Sequence, residues 1–77
     1  MSHDTRIRGN SGTFIYKVSL REHGSSRDNP ARHSMMVRTG TNGPSAAMEA
    51  RGVAQREMDA EGMKKYYPAE VEYQKRY

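Results

Sequence analysis

The sequence predicts an α+β domain, and three patterns lead to that fold class. Apolar and polar side chains alternate over residues 13–21 and again over 69–77, as they do in strands with one buried face. Between these segments, a turn rich in Gly and Pro precedes an alanine-rich segment whose apolar residues recur at helical spacing. We therefore expect a three-stranded sheet with one helix packed on one face.

Residues 1–12 contain Ser, Asn, Gly and charged residues without periodicity, which predicts a flexible N-terminal arm. Residues 13–77 are then expected to form a single small α+β domain. A domain of this size buries only about 60–65% of the surface that its unfolded chain exposes. Partner binding or self-association would add stability to it.

The first two predicted strands are residues 13–21 and 33–39, joined by a turn-rich loop over 22–32. Alternation places Met35 and Val37 on the inward face of the second strand. The inward face of the first strand carries Phe14, Tyr16, Val18 and Leu20.

The helix is predicted to run from about residue 45 to residue 61. Thr41 or Ser45 is expected to cap its start, and Gly62 is expected to stop it. Its apolar stripe consists of Ala46, Ala47, Ala50, Val53, Ala54 and Met58.

The element order is strand, strand, helix, strand, with the last strand over residues 69–77. The first two strands are expected to pair as an antiparallel hairpin, and a right-handed crossover through the helix places the third strand parallel to the second. If the third strand pairs with the first, the spatial order is 2-1-3. That order puts the most apolar strand in the middle, where burial is greatest.

The net charge of +4 is confined to one half of the chain. Residues 1–43 hold seven basic and three acidic side chains, whereas residues 44–77 hold six of each. A one-sided field attracts phosphate backbones or acidic protein faces. The alternative is ordinary charge that keeps a protein in solution.

The composition bears on location and metal binding. There is no Cys, which fits a reducing cytoplasm, and His3, His23 and His33 are not spaced as zinc ligands. No apolar run approaches the ~20 residues of a membrane span. We expect a soluble cytoplasmic protein without a metal or other cofactor.

Catalysis is not expected. The run from Gly40 to Gly43 precedes the helix but lacks the Lys and the spacing of a phosphate-binding loop. It predicts either an anion site at a helix N-terminus or a turn with a cap. His23, Asp28 and His33 lie in or beside the long loop, where a polar loop is a simpler interpretation than an acid–base cluster. The sequence therefore predicts a binding protein.

Two groups of residues are candidates for partner contact on the sheet. Lys17, Arg21, Arg38 and Arg76 are expected to project from the outer face, where Glu70 and Glu72 would also lie. The carboxylates argue against a phosphate contact, and cross-strand pairing in a solvated face is the alternative.

The other candidates lie on the helix and after it. Met48 and Gly52 fall opposite the alanine stripe, where a partner backbone could approach closely. Tyr66 and Tyr67 stand beside Lys64 and Lys65 and could form an edge patch. Neutral solvent exposure is the alternative for the first pair, and packing under the helix end is the alternative for one tyrosine. The partner-binding candidates are Lys17, Arg21, Arg27, Arg32, Arg38, Met48, Gly52, Tyr66 and Tyr67.

The segment 37–50, Val-Arg-Thr-Gly-Thr-Asn-Gly-Pro-Ser-Ala-Ala-Met-Glu-Ala, resembles the end of a double-stranded-RNA-binding domain, where a strand also passes through a Gly-rich turn into an Ala-rich helix. That family carries basic residues at the helix start, and this chain has Ala46 and Ala47 there.

The whole chain is similar in layout to small inhibitors encoded by phages and mobile elements, among them some anti-CRISPR proteins. This resemblance implies a non-catalytic inhibitor that docks on a host nucleic-acid-handling complex. Its partner would be a larger protein or ribonucleoprotein complex and not a membrane. The alternative is direct nucleic-acid binding through the basic hairpin, residues 13–39.

Overall fold

The computed structural model describes residues 2–9, 12–25, 31 and 33–77, with side chains in the first strand described only from Ile7 onward. Arg27 and Arg32 lie outside the described residues. The elements in chain order are β1 (Ser2–Arg8), β2 (Phe14–Glu22), β3 (His33–Thr39), α1 (Ala46–Ala60) and β4 (Tyr66–Arg76).

The fold is α+β, with a four-stranded mixed sheet of order β1-β3-β2-β4 and α1 against one face. β2 pairs antiparallel with both β3 and β4. The three predicted strands therefore occur in the predicted order, with the apolar β2 between the other two. β3 and β4 run in the same direction, as expected for two strands linked by a helix.

The predicted count of three strands was wrong, because residues 2–8 form a strand where the sequence predicts an arm. β1 pairs in parallel with β3, and its register slips between Asp4 and Ile7. Backbone hydrogen bonds hold this edge strand to β3, and such bonds do not require apolar and polar side chains to alternate. Arg8 shares the helix-side face with Val37, is 5% exposed, and binds Glu61 with Nε–Oε2 at 2.7 Å and Nη2–Oε1 at 3.0 Å.

The core lies between the sheet and α1. β2 and β3 contribute alternate residues to it, and the small side chains of α1 allow the helix to approach the sheet closely. Ala47, predicted in this stripe, is only half-buried. The buried cluster consists of Tyr16, Val18, Leu20, Met35, Val37, Ala46, Ala50, Val53, Ala54 and Met58.

Local hydrogen bonds fix the C-terminal end of α1, whereas the side-chain cap expected at its start is not made by Ser45. Ser45 is the N-cap residue but its side chain makes no capping bond. At the other end Gly62 has φ 73°, and the Met63 N–H donates to the Met58 carbonyl at 2.9 Å. This is a Schellman arrangement, and it explains why the helix stops at the predicted glycine.

β4 begins three residues earlier than predicted and departs twice from simple alternation. Its register with β2 shifts so that Ala69 and Gln74 are left without a β2 partner, as in β-bulges. After the second shift, Lys75 pairs with Ile15 and Arg76 pairs with Phe14. The predicted placement of Arg76 on the outer sheet face was therefore wrong, because it shares the helix-side face with Phe14.

Among the described residues, no helix combines the length and the apolar character that crossing a membrane requires.

Candidate binding surfaces

The outer sheet face, on the side away from α1, carries three of the basic residues that the sequence singled out, namely Lys17, Arg21 and Arg38. Arg21 contacts Glu70 with Nη2–Oε2 at 3.3 Å, and its side chain is largely buried. Lys17 lies directly across from Glu72. Both carboxylates therefore lie beside cations, as in the cross-strand pairing that was the alternative to phosphate contact, and the pair between Arg21 and Glu70 is within ion-pair distance.

Arg38 is also engaged on the outer face. Its Nε and Nη2 donate to the Gly12 carbonyl at 3.2 and 2.8 Å, and its Cζ lies 4.0 Å from the centroid of the Tyr77 ring. Ile15 is fully buried between its cross-strand neighbours Arg38 and Lys75. Long basic side chains can cover an apolar neighbour with their methylene stems. Arg38 therefore has a structural use.

The outward side of α1 offers a different surface, which we call the helix stripe: Met48, Gly52, Gln55 and Asp59. Met48 is 76% exposed, and a Cβ built on Gly52 meets nothing within 4 Å. Gln55 donates to Asp59 at 3.0 Å, which ties down the polar end of the stripe. The two predicted contact residues thus lie one helical turn apart on an open surface.

The predicted patch of Tyr66 and Tyr67 is divided between the two faces of the sheet. Both residues belong to β4, whose successive side chains point in opposite directions. Tyr66 packs against the core, and its hydroxyl lies 3.2 Å from the His33 Nε2. Tyr67 is across from Arg21, with its ring centroid 5.1 Å from that of His23.

These contacts separate the two histidines that the sequence placed near one another. His33 lies against Tyr66 on the helix side, whereas His23 lies against Tyr67. Asp28 lies outside the described residues. Within the described part of the chain, no group of three His, Cys, Asp or Glu residues could hold a metal ion.

A shallow depression of about 310 Å³ opens beside the start of β4. Its lining residues are Arg21, Tyr67, Pro68, Ala69 and Glu70. The two charged members bond to each other, and the Ala69 carbonyl accepts hydrogen bonds from Arg51. Arg21, Glu70 and the Ala69 carbonyl therefore already have hydrogen-bond partners within the protein.

The run from Gly40 to Gly43 is held by protein groups. The Gly40 N–H donates to the Glu49 Oε2 at 2.7 Å, and the Thr41 hydroxyl donates to the Oε1 at 2.8 Å. The Gly40 amide and the Thr41 hydroxyl lower the pKa of Glu49 below its ordinary value. The Glu49 carboxylate already accepts hydrogen bonds from both donors, so this turn is a poor site for a second anion.

Sequence reasoning missed one cluster, where β2 begins and β4 ends. We call it the aromatic end: the rings of Phe14, Tyr73 and Tyr77 with the cations Arg38, Lys75 and Arg76. Tyr73 is 45% exposed and Tyr77 is 68% exposed. The Gln74 bulge creates the cluster by turning Arg76 toward Phe14. Alternation alone hides it, because an uninterrupted strand would send the two residues to opposite faces.

Comparisons with protein families, with curated proteins and with solved structures find no match to this chain.

Proposed function

We propose that this chain is a non-catalytic binding protein that docks on a larger protein or ribonucleoprotein complex through the helix stripe. The observation that carries the proposal is the exposure of Met48 beside Gly52 on a helix whose other side is anchored in the core. Methionine adapts its shape to a partner and is enriched in the cores of interfaces. Glycine lets a partner backbone approach the helix.

The cost of Gly52 to the fold supports a functional use. A glycine inside a helix destabilises it by roughly 0.5–1 kcal/mol relative to alanine. The space around Gly52 would accept a Cβ. The absence of a side chain at position 52 therefore adds no stability to the fold, whereas it would let a docked partner approach α1 more closely.

The state of the basic residues favours a protein partner over a phosphate backbone. Arg21 is paired with Glu70, and Arg38 is bonded to Gly12 and stacked on Tyr77. A phosphate contact through the hairpin of residues 13–39 would have to displace these partners. Direct nucleic-acid binding by that hairpin is thus the less favoured alternative.

The kind of partner follows from the layout of the chain. A small domain with an open helix surface is suited to blocking a larger complex by occupying part of the surface of that complex. We propose a host nucleic-acid-handling complex as the target, in the manner of anti-CRISPR proteins, and the host cytoplasm as the location.

The test is capture of the target from host lysate by immobilised protein, with and without nuclease treatment. Met48→Glu and Gly52→Arg should each abolish capture, because a buried charge or a long side chain would then enter the interface. Ala60→Glu is the matched control, since Ala60 is exposed on the same helix but lies outside the stripe. Capture that nuclease abolishes, or that all three variants retain equally, would contradict the proposal.

A further inference from the structure

The aromatic end of the sheet is built from residues that the proposed docking surface does not use. Phe14 and Arg76 are cross-strand partners, and so are Tyr16 and Tyr73. Partners of this kind share a face, so Phe14, Tyr73 and Arg76 lie together on the helix side of the sheet. Tyr73 is nevertheless 45% exposed, which means that α1 leaves this end of the sheet open.

The exposed ring of Tyr73 is held in place by a buried aromatic neighbour. It meets the Tyr16 ring edge to face, with centroids 5.3 Å apart and an interplanar angle of 65°. Tyr16 is itself buried, and its hydroxyl donates to the Asn42 Oδ1 at 2.6 Å. A ring fixed in this way loses little freedom when a flat ligand stacks on it.

A cation lies beside these rings. The Arg76 Cζ is 5.7 Å from the Phe14 ring centroid, and Lys75, the residue before it, lies on the outer face of the same strand. Within the described residues, neither of these two cations reaches a carboxylate at salt-bridge distance. This distinguishes them from Arg21, which is paired with Glu70 at the other end of β4.

The carboxylates near this end do not offset its charge. Glu72 lies opposite Lys17, and Glu49 is bonded to Gly40 and Thr41. The second face repeats the arrangement of the first, with Arg38 stacked on Tyr77 at 4.0 Å. Each face of the sheet end therefore presents an aromatic ring with an arginine beside it.

We propose that the aromatic end binds a single-stranded nucleic acid, with a base stacked on Tyr73 and the neighbouring phosphate held by Arg76. Unpaired bases stack on exposed aromatic rings whatever their sequence, and basic side chains beside the rings track the backbone. An acidic peptide would match the cations but would have no use for the exposed rings. A duplex would match the cations but could not offer an unstacked base.

The inference does not rest on the helix stripe. The two residues proposed to contact the nucleic acid, Tyr73 and Arg76, belong to the charge-balanced half of the sequence and lie outside the basic hairpin, residues 13–39. A protein docked through α1 on a nucleic-acid-handling complex could reach an exposed strand of that complex with its sheet.

The experiment measures binding of the full chain to fluorescein-labelled oligouridine and oligothymidine of roughly 12 nucleotides, and to a duplex of the same length, by anisotropy. Binding to single strands is expected to exceed binding to the duplex at about 50 mM salt and to weaken at about 200 mM. A third probe, oligodeoxyuridine, tells RNA from DNA, because it differs from oligouridine only in lacking the 2′-hydroxyl.

Four variants separate stacking from general attraction. Tyr73→Leu should weaken binding about tenfold, and Tyr73→Phe should retain it because the ring remains. Arg76→Gln should weaken binding and reduce the salt slope by about 0.7. Arg56→Gln is the matched control, since it removes one exposed charge from α1 and should leave the salt slope unchanged. Arg76 is exposed, so that variant is informative even if Tyr73→Leu proves unstable.

Three results would overturn the inference. These are the absence of single-strand binding at the lower salt, equal affinity for duplex and single strand, and equal losses from Arg76→Gln and Arg56→Gln. None of these results would bear on whether Met48 and Gly52 are needed for capture from lysate, so the two proposals can fail separately.

Discussion

The guanidinium of Arg76 lies over the ring of Phe14, with Cζ 5.7 Å from the ring centroid. Phe14 begins β2, and Arg76 ends β4, the antiparallel neighbour of β2. The bulge at Gln74 makes this contact, because it shifts the side-chain parity of β4 by one residue just before the strand ends. The bulge thus brings Arg76 to the helix-side face beside Phe14, while Glu70 and Glu72 remain beside Arg21 and Lys17 on the outer face.

A charged group in the centre of β2 should unfold the domain. Val18 is fully buried and lies between Met35 and Val71. Val18→Asp is expected to lower the free energy of unfolding by more than about 4 kcal/mol, because the carboxylate would have no partner. Thr13→Asp, at an exposed position just before β2, is the control and should be folded. A folded Val18→Asp protein with an unchanged melting temperature would show that the side-chain register of β2 is wrong.

Two glycines should respond to alanine in opposite directions. Gly12 has φ +118°, and an added Cβ would lie 2.3 Å from the Thr39 carbonyl oxygen. Gly12→Ala should therefore destabilise the domain by at least about 1–3 kcal/mol. Gly52→Ala should stabilise it by up to about 1 kcal/mol, because nothing obstructs the new methyl group. Urea unfolding of both variants measures the difference, and shifts of the same sign would refute this account of the two positions.

Glu49 should make stability depend on pH. Hydrogen bonds from Gly40 and Thr41 lower its pKa in the folded state. Its carboxylate therefore stabilises the fold above about pH 4.3, the ordinary value for Glu, and this contribution is lost as the pH falls through the lowered folded pKa. Glu49→Gln should reduce the melting temperature more at neutral pH than at an acidic pH where Glu49 is protonated in the folded state as well. An equal reduction at both values would rule out the carboxylate as the cause.

The N-terminal strand should contribute to stability through Arg8. Its guanidinium is buried and bonded at two points to Glu61, which is itself partly exposed. Arg8→Ala is expected to lower the free energy of unfolding by about 1–3 kcal/mol, less than for a fully buried pair. Arg8→Lys should recover part of the loss. Chemical denaturation measures both, and a change under about 0.5 kcal/mol for Arg8→Ala would match a mobile arm better than a strand.

The parts of the fold that the sequence predicts are those with a strong side-chain period. Residues 16–20 alternate cleanly, and Gly62 ends a helix whose small residues recur at the right spacing. Both signals come from burial against a single face, which is why they lead to the correct elements and the correct order of the three later strands.

The missed features leave no such signal. Backbone pairing with β3 and the contact of Arg8 with Glu61 hold β1, and neither requires alternation. The bulge residues Ala69 and Gln74 look like ordinary strand positions. Register shifts at these points decide which face Arg76 occupies, so the candidate site at the end of β4 depends on backbone geometry that composition does not encode.

Among the candidate contact residues, the helix was easier to place than the sheet. A helical period shows directly that Met48 and Gly52 oppose the alanine stripe. Glu70 and Glu72 lie beside Arg21 and Lys17, but the bond from Arg38 to Gly12 joins residues 26 positions apart. No local pattern can reveal a contact of that kind.

Photocrosslinking from the helix stripe tests the central claim most directly. Benzoylphenylalanine at position 48 should crosslink to one protein of the target complex in nuclease-treated lysate, whereas the same residue at position 60, about a third of a turn around α1, should not. Crosslinks of equal yield from both positions, or from neither while the complex is still captured, would contradict docking through Met48.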